Sequence, residues 1–141
     1  MVQRIQSIWL LLSALCAGLV FLVPMGQSPD GLSLYVYGWL SKGTTTNQTD
    51  ALWLLSLACT LLPLPIIFQF RKRARQKRMV LVLGVLNIVL AALLYFEVSL
   101  VAQATISMGI LLIPSSVIFL VLAYLAISKD EKLIRSADRL R

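Results

Sequence analysis

Apolar residues along this chain gather into four long stretches that are separated by short polar segments. The stretches cover approximately residues 5–25, 51–70, 79–97 and 108–127. Each has close to the roughly 20 residues that an α-helix needs to cross the hydrocarbon core of a bilayer. Backbone groups find no water in that core, and a helix pairs them within the segment. The pattern predicts an all-α membrane protein in which residues 1–141 form a single domain of four transmembrane helices.

Two of the polar segments alternate apolar and polar residues, as strands do. Residues 32–40, LSLYVYGWL, alternate most clearly and are flanked by turn-forming residues, whereas residues 98–107 alternate more weakly. Period-two patterns rich in β-forming residues predict strands. We therefore expect a strand at 32–40, with 98–107 as a weaker candidate to pair with it, in a small β-like cap outside the cytoplasm. A belt of Tyr35, Tyr37 and Trp39 at the lipid interface is an alternative that is compatible with this cap.

Positive charge is distributed very unevenly between the polar segments. If Arg4, residues 71–78 and the tail after Ile127 share one side, that side holds twelve of the thirteen basic residues and three of the six acidic ones. The other side then holds Lys42 and the remaining three acidic residues. An even number of spans places both termini on the same side, and Lys and Arg concentrate in the cytoplasmic segments of membrane proteins. We therefore predict that both termini and residues 71–78 are cytoplasmic.

The run RKRARQKR at residues 71–78 is the densest charge in the chain. We predict a cytoplasmic loop that anchors the topology between the second and third helices and attracts anionic lipid headgroups. Aromatic residues interleaved with the cations would favour nucleic acid. The run contains no aromatic residue, so we expect no specific nucleic-acid partner, although docking to a ribosome stays open. The residues in this group are Arg71, Lys72, Arg73, Arg75, Lys77 and Arg78.

The tail, residues 128–141, has the pattern of a cytoplasmic amphipathic helix. Leu133, Ile134 and Ala137 fall on one face at spacings of three and four, and charged residues occupy the other face. A helix of this kind lies on a membrane surface. The alternative is that it docks onto a cytoplasmic protein or a ribosome.

Small and hydrogen-bonding residues within the stretches predict how the helices pack. Gly84, Asn87 and Ala91 share one helix face at spacings of three and four. In the first stretch Ala14 and Gly18 are also four residues apart. Small residues allow helix backbones to approach closely within a membrane. We therefore assign all five residues to packing inside the four-helix bundle.

Three prolines and one acidic residue are the other unusual features of the apolar stretches. Proline has no amide hydrogen, so Pro63 and Pro65 predict a break in the second helix, and Pro114 predicts another in the fourth. Acidic residues within membranes often mark a proton or substrate pathway. Glu97 lies at the end of the third stretch, where we expect an interfacial carboxylate, with a functional acid as the alternative.

The chain offers little material for catalysis. It contains no histidine, and its two cysteines, Cys16 and Cys59, lie in different apolar stretches. Metal sites and disulfide frameworks depend on clustered cysteines, and the sequence shows neither a nucleophile paired with a base nor a phosphate-binding loop. We expect no enzymatic activity and no cofactor.

The two ends of the chain carry a resemblance to a known family. MVQRIQSIWLLL at residues 1–12 and KDEKLIRSADRLR at residues 129–141 resemble the ends of an uncharacterised family, a domain of unknown function, of small four-helix inner-membrane proteins from Bacteroidota. The layout is also similar, with a long first outer loop, a basic central loop and a charged tail. The resemblance implies a location in the bacterial inner membrane and implies no activity.

These patterns favour a non-enzymatic integral membrane protein that serves as an accessory or scaffolding subunit of a larger complex, with other inner-membrane proteins as partners. Two alternatives stay open. One is a small transporter or channel that acts as an oligomer and uses Glu97, Asn87 and the proline break. The other is a protein that docks to a ribosome or translocon through the basic run.

Overall fold

The computed structural model of the protein describes residues 2–41, 44–46, 50–69, 72–101 and 103–139, with side chains described for 5–40, 51–69, 72–101 and 103–133. These residues are mostly helical, as predicted. The helices are α1 (Val2–Leu19), α2 (Asp50–Leu61), α3 (Pro63–Phe68), α4 (Arg73–Ser99) and α5 (Leu112–Arg139), and a 3₁₀ turn at Met108–Leu111 precedes α5. Five short strands, β1 (Gly26–Gln27), β2 (Ser33–Tyr35), β3 (Gly38–Ser41), β4 (Thr44–Thr46) and β5 (Thr105–Ile106), form a small sheet.

The helices form an up-and-down bundle in which α5 packs against α1 and α4. Gln6 near the start of α1 lies 3.3 Å from Asp130 near the end of α5, and Arg73 at the start of α4 also reaches Asp130. Both α1 and α4 therefore run antiparallel to α5. We call this the basic end of the bundle (Gln6, Lys72–Arg78 and Lys129–Lys132); the sheet lies at the opposite end, which we call the sheet end.

The first helix ends before the apolar stretch does. α1 ends at Leu19, whereas the sequence predicted a span to residue 25. A turn follows, and the Met25 amide then donates a hydrogen bond of 2.7 Å to the carbonyl oxygen of Leu34 in the sheet. Pro24 cannot donate a helical hydrogen bond. The prediction was wrong at this end because hydrophobicity alone does not distinguish a helix from an irregular segment buried beneath a sheet.

The basic run is helical, and the prediction of a loop at residues 71–78 was wrong. α4 begins at Arg73, so its first two turns contain the basic residues from Arg73 to Arg78; Arg71 lies outside the described residues. Arg, Lys, Gln and Ala are among the strongest helix formers, and neither glycine nor proline occurs between residues 73 and 83. With 27 residues, α4 is about 40 Å long.

The fourth span and the tail form one helix. α5 continues from Leu112 to Arg139 without interruption, so the tail predicted at 128–141 is helical as far as residue 139 and extends the fourth span. Asp130 is buried in the bundle, although the sequence placed it in a helix on the membrane surface. The reason is that α5 continues beyond its apolar segment. It therefore places Asp130 beside α1 and α4, and Glu131 beside α4.

The sheet has the strand order β4-β3-β2-β1-β5, and all its pairs are antiparallel. β2 and β3 form a hairpin across Val36 and Tyr37, with Leu34 opposite Trp39. The prediction of a single strand at 32–40 was therefore wrong. Gly38 has a φ of 125°, which glycine adopts readily because it has no Cβ, and the chain reverses here.

The second predicted strand segment joins the sheet through two residues only. Thr105–Ile106 pairs with β1, where Ile106 lies opposite Gly26, whereas residues 98 and 99 belong to α4. The segment 98–107 therefore reaches the hairpin indirectly, through β1. β1 was not predicted, and Thr44–Thr46 lies in a flank that was predicted to form turns, although β-branched threonine favours strands.

The core has two parts, one beneath the sheet and one towards the basic end. The part beneath the sheet combines Leu34 and Trp39 of the hairpin with Leu94 and Ile113 of the helices. Gly109 allows a close backbone approach here, because a Cβ at that position would collide with the carbonyl oxygen of Pro24. The sheet therefore packs on the end of the bundle instead of projecting from it.

Large apolar side chains also cover the outside of the helices. Examples on three helices are Ile8, Leu15, Val85 and Leu125, each more than half exposed. An apolar surface of this extent is typical of a protein that lipid surrounds. Three segments are long and apolar enough to cross a membrane, namely Ala51–Phe68, Arg73–Ser99 and Met108–Leu133, while Ile5–Leu19 is shorter. Among the residues with described side chains there are thus three candidate spans and one shorter apolar helix.

Candidate functional site at the basic end of the bundle

A buried carboxylate joins three helices at the basic end. Asp130 on α5 is 8% exposed, and its Oδ2 lies 2.9 Å from a guanidinium nitrogen of Arg73 on α4. The Nε2 of Gln6 on α1 donates to the same oxygen over 3.3 Å and to the Ala126 carbonyl oxygen over 3.4 Å. A buried charge is stable when a partner and hydrogen bonds compensate it. This cluster therefore fixes α1, α4 and α5 relative to one another.

A second buried polar side chain connects α4 with α3. Gln76 is 2% exposed, and its Nε2 donates a hydrogen bond of 3.1 Å to the carbonyl oxygen of Ile66. Its Oε1 is buried and has no hydrogen-bond partner among the described residues. Ile66 lies near the C-terminal end of α3, and its carbonyl oxygen accepts hydrogen bonds from both the Gln69 amide and Gln76.

The six basic residues of the predicted anionic-partner group separate into two sets. Arg73 pairs with Asp130, and Lys77 lies 3.8 Å from Glu131 and 4.9 Å from the ring centroid of Tyr124. These two cations therefore have interaction partners within the bundle. The outward-facing set is Lys72, Arg75 and Arg78, all exposed, and Arg71 lies outside the described residues.

The residues predicted to pack the helices occupy two different environments. Ala14 is buried, and a Cβ at Gly18 would contact Thr60 of α2 at 3.5 Å. Asn87 is also buried and donates to the Leu83 carbonyl oxygen at 2.9 Å within its own helix, and Ala91 packs against the core beneath the sheet.

Gly84 lies outside this packing, and its assignment to the bundle interior was wrong. A Cβ at Gly84 would meet nothing within 4 Å. The residue opens into an apolar groove of about 200 Å³ between α4 and α5. Gly84 and Asn87 are about 60° apart around the helix axis because three residues advance by 300°, and this difference turns the glycine out of the core.

The prolines have unequal effects on the helices. α2 ends at Leu61 and α3 begins at Pro63, at the position where the sequence predicts a break. Pro63 is buried and Pro65 exposed. Pro114 lies in the first turn of α5, where amides have no partner within the helix. It therefore removes no hydrogen bond from α5, and the change from the 3₁₀ turn Met108–Leu111 to the α-helix lies directly before it.

Glu97 lies far from the polar cluster. It is half-buried in the last turn of α4, at the sheet end. Among the described residues it has no ion pair, and Asp130 at the opposite end is the acidic residue that the fold buries. The structure thus brings Glu97 together with neither Asn87 nor the proline break.

Several buried polar residues were not anticipated as a set. Ser13 and Ser116 share a hydrogen bond of 2.8 Å between α1 and α5, and both are buried, as are Gln6 and Gln76. One signal was available in the sequence. Gln6 and Ser13 are seven residues apart, which places them on the same helix face as Leu10 and Ala17. Polar residues that share a face with small apolar ones indicate an interhelical hydrogen bond in a membrane.

Together, the helices with their exposed apolar surface, the charged end and the small sheet define a candidate membrane protein of mainly helical structure. The chain belongs to the family described as Domain of unknown function (DUF4293), whose sequence profile matches residues 2–140. The resemblance to an uncharacterised family is thereby confirmed, while its origin in Bacteroidota stays a prediction. No curated protein and no solved structure matches the chain.

Proposed function

We propose that the protein is a multi-pass protein of the bacterial inner membrane, with the basic end in the cytoplasm and the sheet outside. The structure gathers the start of α1, the start of α4 and the far part of α5 at one end of the bundle. Lys and Arg favour the cytoplasmic side of a membrane. Support for this orientation comes from the outward-facing cations Lys72, Arg75 and Arg78, which lie at that end.

Within that setting we infer a non-enzymatic role as an accessory or scaffolding subunit of a larger membrane complex. The observation that carries this proposal is the α4–α5 groove. Its walls are apolar and include Leu81, Gly84, Val85 and Ile88 on α4 and Val117 and Val121 on α5. The partner we propose is a transmembrane helix of another inner-membrane protein.

The shape of the groove favours a helix. An exposed apolar side chain within a bilayer is unremarkable, because lipid covers it as well as protein does. A glycine in the floor of a concave surface differs, since it lets another backbone approach closely, and van der Waals packing at small residues drives helix association in membranes. Gly84 offers this space because no neighbouring side chain fills it.

Pull-down of the tagged chain from its native membrane in mild detergent, followed by mass spectrometry, tests the proposal. We expect one membrane protein in stoichiometric amounts with the native chain, and its loss with Gly84→Leu. The control is Val89→Leu, since Val89 is 43% exposed on α4 and is not among the residues that line the groove.

A photoreactive amino acid at Ile88 sharpens the test. Crosslinking to a partner should occur from Ile88, which lines the groove, and not from Val89 beside it. A partner that is retained with Gly84→Leu would contradict the groove as its binding site, and a chain that purifies as a monomer or homo-oligomer would contradict the subunit role. In the latter case ion flux in proteoliposomes, with Glu97→Gln as the variant, becomes the relevant measurement.

A further inference from the structure

The start of α4 presents two kinds of cation on two sides of the helix. Arg73 and Lys77 face α5 and pair with Asp130 and Glu131. These pairs are partly buried, with 22% and 29% exposure of the two basic side chains. They neutralise two of the positive charges internally and hold the helix at a fixed rotation.

The side chains of the other three cations line a concave surface instead. Arg75 and Arg78 are three residues apart on α4, and Lys72 is the N-cap residue that precedes the helix; all three are exposed. Lys72 and Arg75 line a cavity of about 270 Å³ together with Phe68 and Gln69. Arg75 and Arg78 line a neighbouring cavity of about 450 Å³, and Gln69 belongs to both.

Among the residues whose side chains are described, no acidic one lines either cavity. The first turn of α4 adds to the positive potential, because the N-terminal end of a helix carries a partial positive charge and free amides. The N-cap residue, Lys72, supplies no side-chain acceptor to those amides. Three cations beside such a helix end attract a phosphate group in particular.

The cations adjoin an apolar wall. Met79 and Val82 complete the larger cavity one turn further along α4, and Phe68 on α3 is 78% exposed beside the smaller one. A free phosphate ion gains no binding energy from these apolar side chains. A phospholipid does, since its acyl chains can lie along Met79 and Val82 towards the apolar part of α4 while its phosphate reaches the cations.

We propose that Lys72, Arg75 and Arg78, together with Gln69, form a binding site for the phosphate of an anionic phospholipid. This inference deepens the proposed function, since it rests on the chain lying in a membrane with α4 crossing the interface at Arg78. It does not depend on a partner helix in the α4–α5 groove, which is lined by different residues.

Native mass spectrometry of the purified full chain in detergent tests the proposal, with phosphatidylglycerol as the probe and phosphatidylcholine as the neutral comparison. We expect preferential retention of phosphatidylglycerol. The double variant Arg75→Gln/Arg78→Gln should lower its apparent affinity by about tenfold or more, because it removes two charge-assisted contacts to the phosphate.

The matched control is Lys129→Gln/Lys132→Gln. It removes the same charge at the same end of the bundle, both lysines are exposed, and neither lines the cavities. We expect the control to change the affinity by less than about threefold, since exposed charges act weakly at a distance. An equal loss in both double variants would indicate general charge attraction and would overturn the site.

The source of the phosphate is tested in the same preparation. Millimolar inorganic phosphate should displace little phosphatidylglycerol if the acyl chains contribute to binding. Complete displacement, or equal retention of phosphatidylglycerol and phosphatidylcholine, would overturn the lipid site. The assay is independent of the pull-down, so failure of the subunit proposal leaves this result interpretable.

Discussion

At the scale of single residues, position around the helix axis decides what each polar side chain does. Arg73 and Arg75 are two residues apart, yet one pairs with a buried carboxylate and the other faces outward. Two residues advance by 200° on a helix. The six basic residues look equivalent in sequence, and only the packing of α4 against α5 separates them.

Asp130 is the residue whose change should affect stability most clearly. We expect Asp130→Asn to lower the free energy of unfolding by about 1–3 kcal/mol, because the Arg73 guanidinium then keeps a partly buried position without its carboxylate. The measurement is thermal or denaturant unfolding of the purified chain in detergent, with Glu131→Gln as the control.

The control should cost less than about 1 kcal/mol, since the Lys77–Glu131 pair is longer and more exposed. In a double-mutant cycle, Asp130→Asn and Arg73→Gln should be non-additive by about 0.5 kcal/mol or more, as contacting residues are. Additive effects would show that the two side chains do not support each other.

At the scale of elements, the backbone of single glycines decides the shape of the sheet. Gly31 and Gly38 both have positive φ, at 75° and 125°. Asparagine tolerates the left-handed region near 60°, whereas side chains are strongly disfavoured at larger φ. The hairpin between β2 and β3 therefore requires glycine at position 38, whereas the turn between β1 and β2 does not require it at position 31.

The same substitution at both glycines provides a matched test. Gly38→Asn should destabilise the cap by about 1–3 kcal/mol through backbone strain and should increase proteolysis of residues 26–41. Gly31→Asn should leave both unchanged, because a Cβ at Gly31 meets nothing within 4 Å. Equal protease resistance of the two variants would argue against the hairpin.

The positions where the elements begin and end show how much of the fold could be predicted from the sequence. The four helical segments and the existence of a cap were predictable, because 20-residue apolar stretches and period-two alternation are strong signals. The ends of α1 and α4 were not. Apolar residues at 20–25 serve a buried turn beneath the sheet, and charged residues at 73–78 form helix because their propensity is high and α5 supplies partners.

At the scale of the whole molecule, charge and the sheet lie at opposite ends of the bundle. Thiol labelling tests the proposed orientation, using a chain in which Cys16 and Cys59 are replaced by serine and alanine. Asp30→Cys at the sheet end should react with a membrane-impermeant maleimide in cells with a permeable outer envelope. Arg75→Cys should react only after the inner membrane is opened.

Both positions are exposed in the structure, so access to the reagent depends on the membrane and not on burial. Labelling of Arg75→Cys in intact cells with no labelling of Asp30→Cys would invert the topology. Labelling of both positions would indicate that the bundle does not separate two compartments.

Local patterns indicate a membrane protein of a family of unknown function. Apolar stretches of spanning length, a one-sided distribution of Lys and Arg, and terminal motifs that place the chain in a family of unknown function can all be read along the chain. They depend on composition and spacing, which need no knowledge of neighbours. The length of each apolar stretch is likewise a local quantity.

The tertiary structure alone decided which residues meet. Gln6, Arg73 and Asp130 come from three distant segments and converge because α5 runs antiparallel to both α1 and α4. Gly84 faces a groove while Asn87 faces the core, although both had the same local pattern. Contacts between distant segments depend on the rotation and direction of each helix in the bundle, and these are set by packing against the other helices.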